Sequence, residues 1–337
     1  MYMKRSVLLV SVLAVFALLT AGCDLLVSPT IKVIDARTGN GIANAEVTLT
    51  PIKVDENKSQ EPIKGTSGTD GTVVFTDKVQ YGEYTVTGSL SGYVFIPFNV
   101  TVAGWSQDLG KIWGVATSKG GDPNAVSIFL TWNTTNDIDA YFTYPNTLET
   151  SVTALYPWSA VDAYQNLSGS RTSVNYSNKQ DTTKFSSLDI DKTANNGGMG
   201  PETITLLGTN TGNASGTQIT VNSGTPFIGS AIPAGNYYWA GIGEYYLNAY
   251  TTNTSLENQQ VRVVITQGNA IKGIFNLPTN MTQKTISLFR VQILYTSDNA
   301  NYYLVFMPDL RLVDGLANIK SIAGIPEDSV FVCSGRK

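Results

Sequence analysis

Histidine is absent from the sequence, and cysteine occurs only at Cys23 and Cys333. The first absence removes Ser-His-Asp triads, Cys-His pairs, histidine zinc sites and the commonest general base near neutral pH, so most hydrolase mechanisms lose their central residue. The second rules out a disulfide framework, and a chain of this size must be held by ordinary apolar cores. Charged residues make up only 14% of the chain, with a net charge of −4 and no basic stripe, which argues against a nucleic-acid partner. Phosphate-binding glycine loops, Cys-x-x-Cys pairs and nucleophile elbows do not occur. Beyond the first residues there is no long apolar run and no sustained helical periodicity. Short alternating or wholly apolar runs recur instead between Gly, Pro and Asn clusters, in a chain rich in Thr, Ser and Tyr. That pattern predicts an all-β protein with many turns.

What is present begins with Lys4 and Arg5, followed by the apolar run Val7 to Leu19. A membrane helix needs roughly 20 apolar residues, whereas a run of about 7 to 15 between a charged start and small residues marks a removed signal peptide. The next residues, Leu19-Thr20-Ala21-Gly22-Cys23, resemble the lipobox of bacterial lipoproteins, although Thr20 stands where Leu is commonest. The resemblance implies cleavage after Gly22, a signal peptide of residues 1–22, lipidation of Cys23 and a tether over residues 23–29. An ordinary secretory signal with an incidental Cys is the alternative, and that chain too is exported. With Cys23 a thioether, Cys333 has no partner for an intramolecular disulfide and reads as a small buried hydrophobe.

Residues 30–115 form the first predicted domain. Strands are expected over Thr30–Ile34, Ala45–Thr50, Thr72–Phe75, Glu83–Ser89 and Val94–Val102, with a polar loop over Pro51–Gly65 and hairpin-type turns at Thr38-Gly39 and Asp70-Gly71. Five motifs fall in order: Val33-Ile34-Asp35 with Thr38-Gly39; Ile42-Ala43-Asn44-Ala45-Glu46-Val47; Thr69-Asp70-Gly71 before Val74-Phe75; Tyr81-Gly82-Glu83-Tyr84-Thr85-Val86; and Gly92-Tyr93. Together they resemble the carboxypeptidase-regulatory-like domain. That resemblance implies a seven-stranded prealbumin-like sandwich, grouped with carbohydrate-binding folds, that acts as a spacer or binding module without catalysis.

A linker is expected at 116–124, around Lys119-Gly120-Gly121-Asp122-Pro123. Residues 125–309 then carry about nine candidate strands: Ala125–Trp132, Ile138–Tyr144, Lys184–Ile190, Thr203–Leu207, Asn236–Tyr250, Gln260–Gln267, Ala270–Leu277, Thr285–Tyr295 and Tyr302–Met307. They predict a larger β-sandwich. Residues 310–337 offer one closing strand near Ser329–Cys333. The order Leu130-Thr131-Trp132, Asn136-Asp137-Ile138-Asp139, Leu188-Asp189-Ile190-Asp191, Gly200-Pro201-Glu202-Thr203-Ile204 and Pro233-Ala234-Gly235-Asn236-Tyr237 resembles the YfaP-type bacterial domain. Two departures stand out: Ala140-Tyr141 replaces a Leu-His pair, and Asn195–Gly198 lengthens the turn before Gly-Pro-Glu.

Chemistry concentrates in Asp137, Asp139, Asp189, Asp191 and Glu202. Side chains two apart on a strand share a face, so each Asp-x-Asp pair is expected to converge. Two such pairs brought together repel unless a cation intervenes, and oxygen ligands without His or Cys suit calcium. Turn capping of backbone amides and a pair of catalytic acids, as in glycoside hydrolysis, are the other readings. The aromatics Tyr237-Tyr238-Trp239 and Tyr245-Tyr246 either stack sugars or a partner, or fill the faces of a strand. Trp105 and Trp113 read as core or as packing near the domain boundary.

The sequence therefore reads as a lipid-anchored, two-domain β lipoprotein of the cell envelope that binds or scaffolds rather than catalyses. It faces the periplasm or the cell surface, and its partners are the membrane, through the lipid, and an envelope protein or glycan. A carbohydrate-binding module is the first alternative, and a hydrolase working with carboxylates the second.

Overall fold

The computed structural model describes residues 28–54, 61–76, 79–104, 107–118, 125–145, 171–174, 186–192, 200–206, 217–221, 234–250, 255–296, 301–312 and 330–334. The signal peptide, Cys23, most of the tether and linker, Trp105, the Asn195–Gly198 turn and the side chain of Cys333 lie outside the described residues. No described helix is long and apolar enough to cross a membrane. The chain divides into two compact units. One comprises Met1–Ile34, Asn40–Leu90 and Phe95–Gly114, the other Asp35–Gly39, Ser91–Val94 and Val115–Lys337.

The N-terminal strands are β1 (Thr30–Asp35), β2 (Glu46–Val54), β3 (Ile63–Thr66), β4 (Thr72–Val74), β5 (Gly82–Ser89), β6 (Tyr93–Phe95), β7 (Phe98–Val102) and β8 (Asp108–Ala116). They form two four-stranded sheets, ordered β4-β1-β8-β6 and β3-β2-β5-β7. The sandwich thus has eight strands among the described residues where seven were expected. Its core follows the period-two rule, with Ile31 and Val33, Val47 and Leu49, and Tyr84 and Val86 all fully buried. Two strands escaped the sequence reading. β3 lies inside the expected polar loop and buries a single apolar side chain, Ile63. In β8, Gly110 has a positive φ of 96°, which breaks the alternation and leaves Leu109, Ile112 and Val115 buried three residues apart. The expected strand Val94–Val102 is two. At Ile96-Pro97 the chain leaves one sheet for the other, β6 lying beside β8 and β7 pairing with β5.

The positive φ expected at Gly39 and Gly71 is present, at 72° and 83°. The first turn is closed by an antiparallel bridge between Ile34 and Gly41, and both turns pass the chain from one sheet to the other. A Cβ at Gly71 would stand 2.3 Å from the carbonyl oxygen of Val33, so only glycine fits that crossing.

The second unit holds β9 (Val126–Thr131), β10 (Ile138–Pro145), β11 (Arg171–Val174), β12 (Ser186–Ile190), β13 (Glu202–Leu206), β14 (Thr217–Val221), β15 (Gly235–Ala249), β16 (Arg262–Gln267), β17 (Ala270–Asn276), β18 (Thr285–Thr296), β19 (Asn301–Leu312) and β20 (Val330–Ser334). A five-stranded sheet is ordered β12-β13-β9-β16-β17. A seven-stranded sheet runs β11-β10-β15-β18-β19-β20, with β14 also paired to β15. The all-β sandwich is as expected, with twelve strands among the described residues rather than about nine. β20 is the closing strand, and β11 and β14, only four and five residues long, went unread. Alternate residues of both sheets meet in one core, including Ile128 and Leu130 of β9, Ala140 and Phe142 of β10, Ile204 of β13 and Leu247 of β15. The rings of Tyr245 and Phe289 stack there, centroids 5.0 Å apart.

Candidate functional site

β10 and β13 belong to different sheets of the second unit, and the acids meet where these strands begin. Trp132 follows β9 and is buried, and its indole Nε1 donates to the carbonyl of Asn136 at 2.6 Å, folding the turn that presents Asp137 and Asp139. Gln259, 6% exposed, holds the same turn from the other side. Its carbonyl accepts from Asn133 N at 2.8 Å, and its Oε1 accepts from Asn136 Nδ2 at 3.1 Å and from the Thr134 hydroxyl. Before β13, Gly200 has a φ of 64°, and a Cβ there would stand 3.1 Å from the carbonyl oxygen of Leu130. This close approach aligns Glu202 opposite Leu130 at the start of β13.

Carboxylate oxygens of Asp137, Asp139 and Glu202 lie within 4.8 Å of one another, and all three residues are buried. Glu202 Oε2 accepts from the Ala140 backbone N–H at 2.6 Å, whereas its Oε1 is buried without a hydrogen-bond partner among the described residues. Burial pushes the Asp139 carboxyl up to about 7, helped by the negative charges of Asp137 and Asp191, while a 3.4 Å contact from the Tyr141 hydroxyl opposes the shift. Burial likewise raises Glu202 well above the ordinary carboxylate range, the Ala140 N–H opposing and Asp139, Asp191 and Asp137 adding to it. Asp191 therefore acts on the cluster electrostatically. The hydroxyl of Tyr245, from the inner face of β15, is fully buried with no hydrogen-bond partner among the described residues, and it feels the Glu202 charge. Of the five acids singled out from sequence, these four share one electrostatic environment.

Asp189 does not join them in the way expected. The register between β12 and β13 shifts between Leu188 and Ile190, and this bulge interrupts the alternation that would have put Asp189 and Asp191 on one face. Asp189 Oδ2 instead faces Arg37 Nε at 3.6 Å and accepts from Thr205 Oγ1 at 2.6 Å, while Oδ1 accepts from Ser187 Oγ at 2.8 Å. Arg37 sits in the Asp35–Gly39 turn of the second unit. It donates from Nη2 to Ser127 Oγ at 2.7 Å and from Nη1 to the Ser118 carbonyl at 2.6 Å, and the neighbouring Ala36 carbonyl accepts from Thr203 Oγ1 at 2.5 Å. Burial lowers the Arg37 guanidinium to about 10, with Asp35 and then Tyr93 opposing the shift. Sequence reasoning missed Arg37 and Gln259, and it weighed Tyr245 as a stacking or core aromatic and not as a neighbour of Glu202. The available signal for Arg37 was the polar alternation of Ser127, Thr203 and Thr205, which marks a sheet with both faces covered.

Tyr237 and Tyr245 are buried, and Tyr246 stacks on Tyr141 with centroids 4.6 Å apart and planes 9° from parallel. The side chains of Tyr238 and Trp239 lie outside the described residues.

No protein-family model matches the chain, and no curated protein is similar to it. Among solved structures, it is similar to the full-length major pilin SpaD of Corynebacterium diphtheriae at 13% identity, covering 80% of this chain and 65% of that one, with a TM-score of 0.24. It is similar to a DUF3823 family protein of Parabacteroides merdae at 12% identity, covering 75% and 98%, with a TM-score of 0.22. A third match is BcpA, the major pilin subunit of Bacillus cereus, at 9% identity, covering 91% and 95%, with a TM-score of 0.21. Likenesses of this size assign neither a family nor a function to the chain.

Proposed function

We propose that this chain is a lipid-anchored scaffold or binding protein of the cell envelope. Lipid on Cys23 is its membrane attachment, residues 30–115 are a carboxypeptidase-regulatory-like spacer, and the YfaP-type unit is the head. In this reading the acids serve the fold of the head and not turnover. The supporting observation is their burial: Asp137, Asp139 and Glu202 are 7%, 2% and 1% exposed. A glycosidase needs its two acids flanking a sugar in an open cleft, and these acids are buried against one another where β10 and β13 begin. The carbohydrate-binding alternative draws little from the described aromatics, because Tyr237 and Tyr245 are committed to the core and Tyr141 and Tyr246 to each other.

Metabolic labelling with a fatty acid tests the anchor. The wild-type chain is expected to carry label and to sediment with membranes, and Cys23→Ala to do neither. Equal label in the variant, or none in the wild type, overturns attachment through this residue.

A further inference from the structure

We propose that Asp137, Asp139 and Glu202 bind one calcium ion, with Asp191 and the Tyr245 hydroxyl completing its surroundings, so that the ion clips the two sheets of the second unit together. The inference rests on the reading above, that these acids serve the fold. The donor set consists of oxygens alone. Calcium takes six to eight oxygens at about 2.4 Å in irregular geometry, so two oxygens on opposite sides of one ion stand about 4.8 Å apart. The three carboxylates fall within that span. Zinc favours nitrogen and sulfur donors, and magnesium holds to an octahedron and keeps several waters, which a sealed site does not readily admit.

The second line of support comes from the core and not from the acids. Folded proteins rarely leave a buried hydroxyl without a partner, yet the Tyr245 hydroxyl has none among the described residues and stands in the field of Glu202, whose own Oε1 is equally unmatched. An ion carrying one water serves both atoms: the carboxylate oxygen binds the metal and the phenol hydrogen-bonds the water. Among the described residues, the charges that raise Asp139 and Glu202 are negative, from Asp137, Asp139 and Asp191, and a divalent cation would neutralise them. Asp137 and Asp139 come from the seven-stranded sheet and its approach, Glu202 from the five-stranded one, so the ion would couple the two sheets.

The test uses the full chain in detergent, stripped with a chelator and titrated with calcium chloride, and separately with terbium chloride while exciting tyrosine. One ion per chain is expected, with a rise of several degrees in melting temperature at millimolar calcium and a smaller rise with magnesium. Asp139→Asn and Glu202→Gln should bind calcium at least tenfold more weakly yet melt in chelator no lower than wild type, because each removes a repelling charge; lost binding then is not lost folding. Tyr245→Phe keeps every carboxylate and should weaken binding several-fold and dim the sensitised terbium emission. No saturable calcium uptake by wild type, or undiminished uptake in both carboxylate variants, overturns the proposal. A chain that takes lipid label but no calcium overturns this inference alone, whereas glycoside turnover abolished by Glu202→Gln overturns the reading it rests on.

Discussion

Asp189 and Asp139 are both buried aspartates in the same sandwich, and their surroundings could hardly differ more. The Asp189 carboxylate is met by the Arg37 guanidinium and the hydroxyls of Ser187 and Thr205. Among the described residues, Asp139 is met by further acids and the Tyr141 hydroxyl. On one face of the five-stranded sheet, negative charge is answered from within the chain. At the start of β10 and β13 it accumulates. A buried charge is tolerated when a partner within the fold neutralises it, and otherwise it must take up a proton or bind an ion. The contrast therefore sets an ion pair answered within the fold beside the cluster for which a calcium ion is proposed.

The largest way to break the comparison is to remove the internal partner. Arg37→Ala strands Asp189 inside the protein, and losing one member of a buried pair costs about 3–5 kcal/mol. Adding Asp189→Asn to Arg37→Ala should recover much of that loss, because the stranded charge goes with it. Residues 122–337 expressed alone lack the same guanidinium and should melt well below the second unit of the intact chain. Denaturant unfolding measures all three, and an Arg37→Ala chain as stable as wild type would show that the pair contributes nothing.

The answering experiment on the unneutralised side uses protons. Asp139 is raised to about 7 and Glu202 is raised with it. An acid whose folded pKa exceeds its unfolded value holds its proton longer when folded, so its contribution is fully present below the unfolded value and is lost as pH rises through the folded one. In chelator, melting should accordingly fall by several degrees between about pH 5 and pH 8, and millimolar calcium should flatten that fall. Asp139→Asn in chelator should show a shallower slope. A slope as steep as that of wild type would assign the pH dependence to other groups.

How far sequence reached differs between these two places. The paired acids could be read because period-two alternation is local, whereas Trp132 before its turn and Gly200-Pro201-Glu202 entered through the resemblance to the YfaP-type domain. Alternation failed at two irregularities: the β12 bulge, which divides Asp189 from Asp191, and Gly110, which hides β8. Arg37 lies 152 positions before Asp189, the difference of their residue numbers. No local rule pairs residues so far apart, and the same holds for Gln259 and the Asp137 turn. The short strands β11 and β14 went unread because four or five residues give alternation too little length to register.

Gln259 offers a smaller and sharper perturbation. It meets Asn133, Thr134 and Asn136, and its amide Nε2 donates to the Glu257 carbonyl at 3.1 Å, so it fixes the turn without touching the acids. Gln259→Ala should cost about 1–3 kcal/mol, the range for stranding buried partners. If the turn places Asp137 and Asp139, calcium binding should weaken several-fold while the melting slope with pH in chelator stays as in wild type. Unchanged calcium affinity at reduced stability would show that the turn is held independently of the site.

The smallest expected effect lies on the outer surface of β10 and β15. Tyr141 and Tyr246 stack on each other across the strand pair in register, and each is half-buried. An aromatic pair of this kind contributes about 0.5–1.5 kcal/mol beyond the area it covers, so Tyr246→Ala should destabilise only by about that amount. The effect on Asp139 discriminates further, because the Tyr141 hydroxyl is the one contact that opposes the rise of its carboxyl. Tyr141→Phe keeps the stack and removes that contact. It should leave stability at acid pH unchanged and steepen the loss of stability toward neutral pH in chelator, where the unsupported carboxylate must ionise. Calcium should cancel the difference. If Tyr141→Phe and wild type run parallel from pH 5 to 8, the 3.4 Å contact does no work on Asp139, and the contrast with Asp189, whose hydroxyl partners stand closer than 3 Å, becomes one of distance as well as of charge.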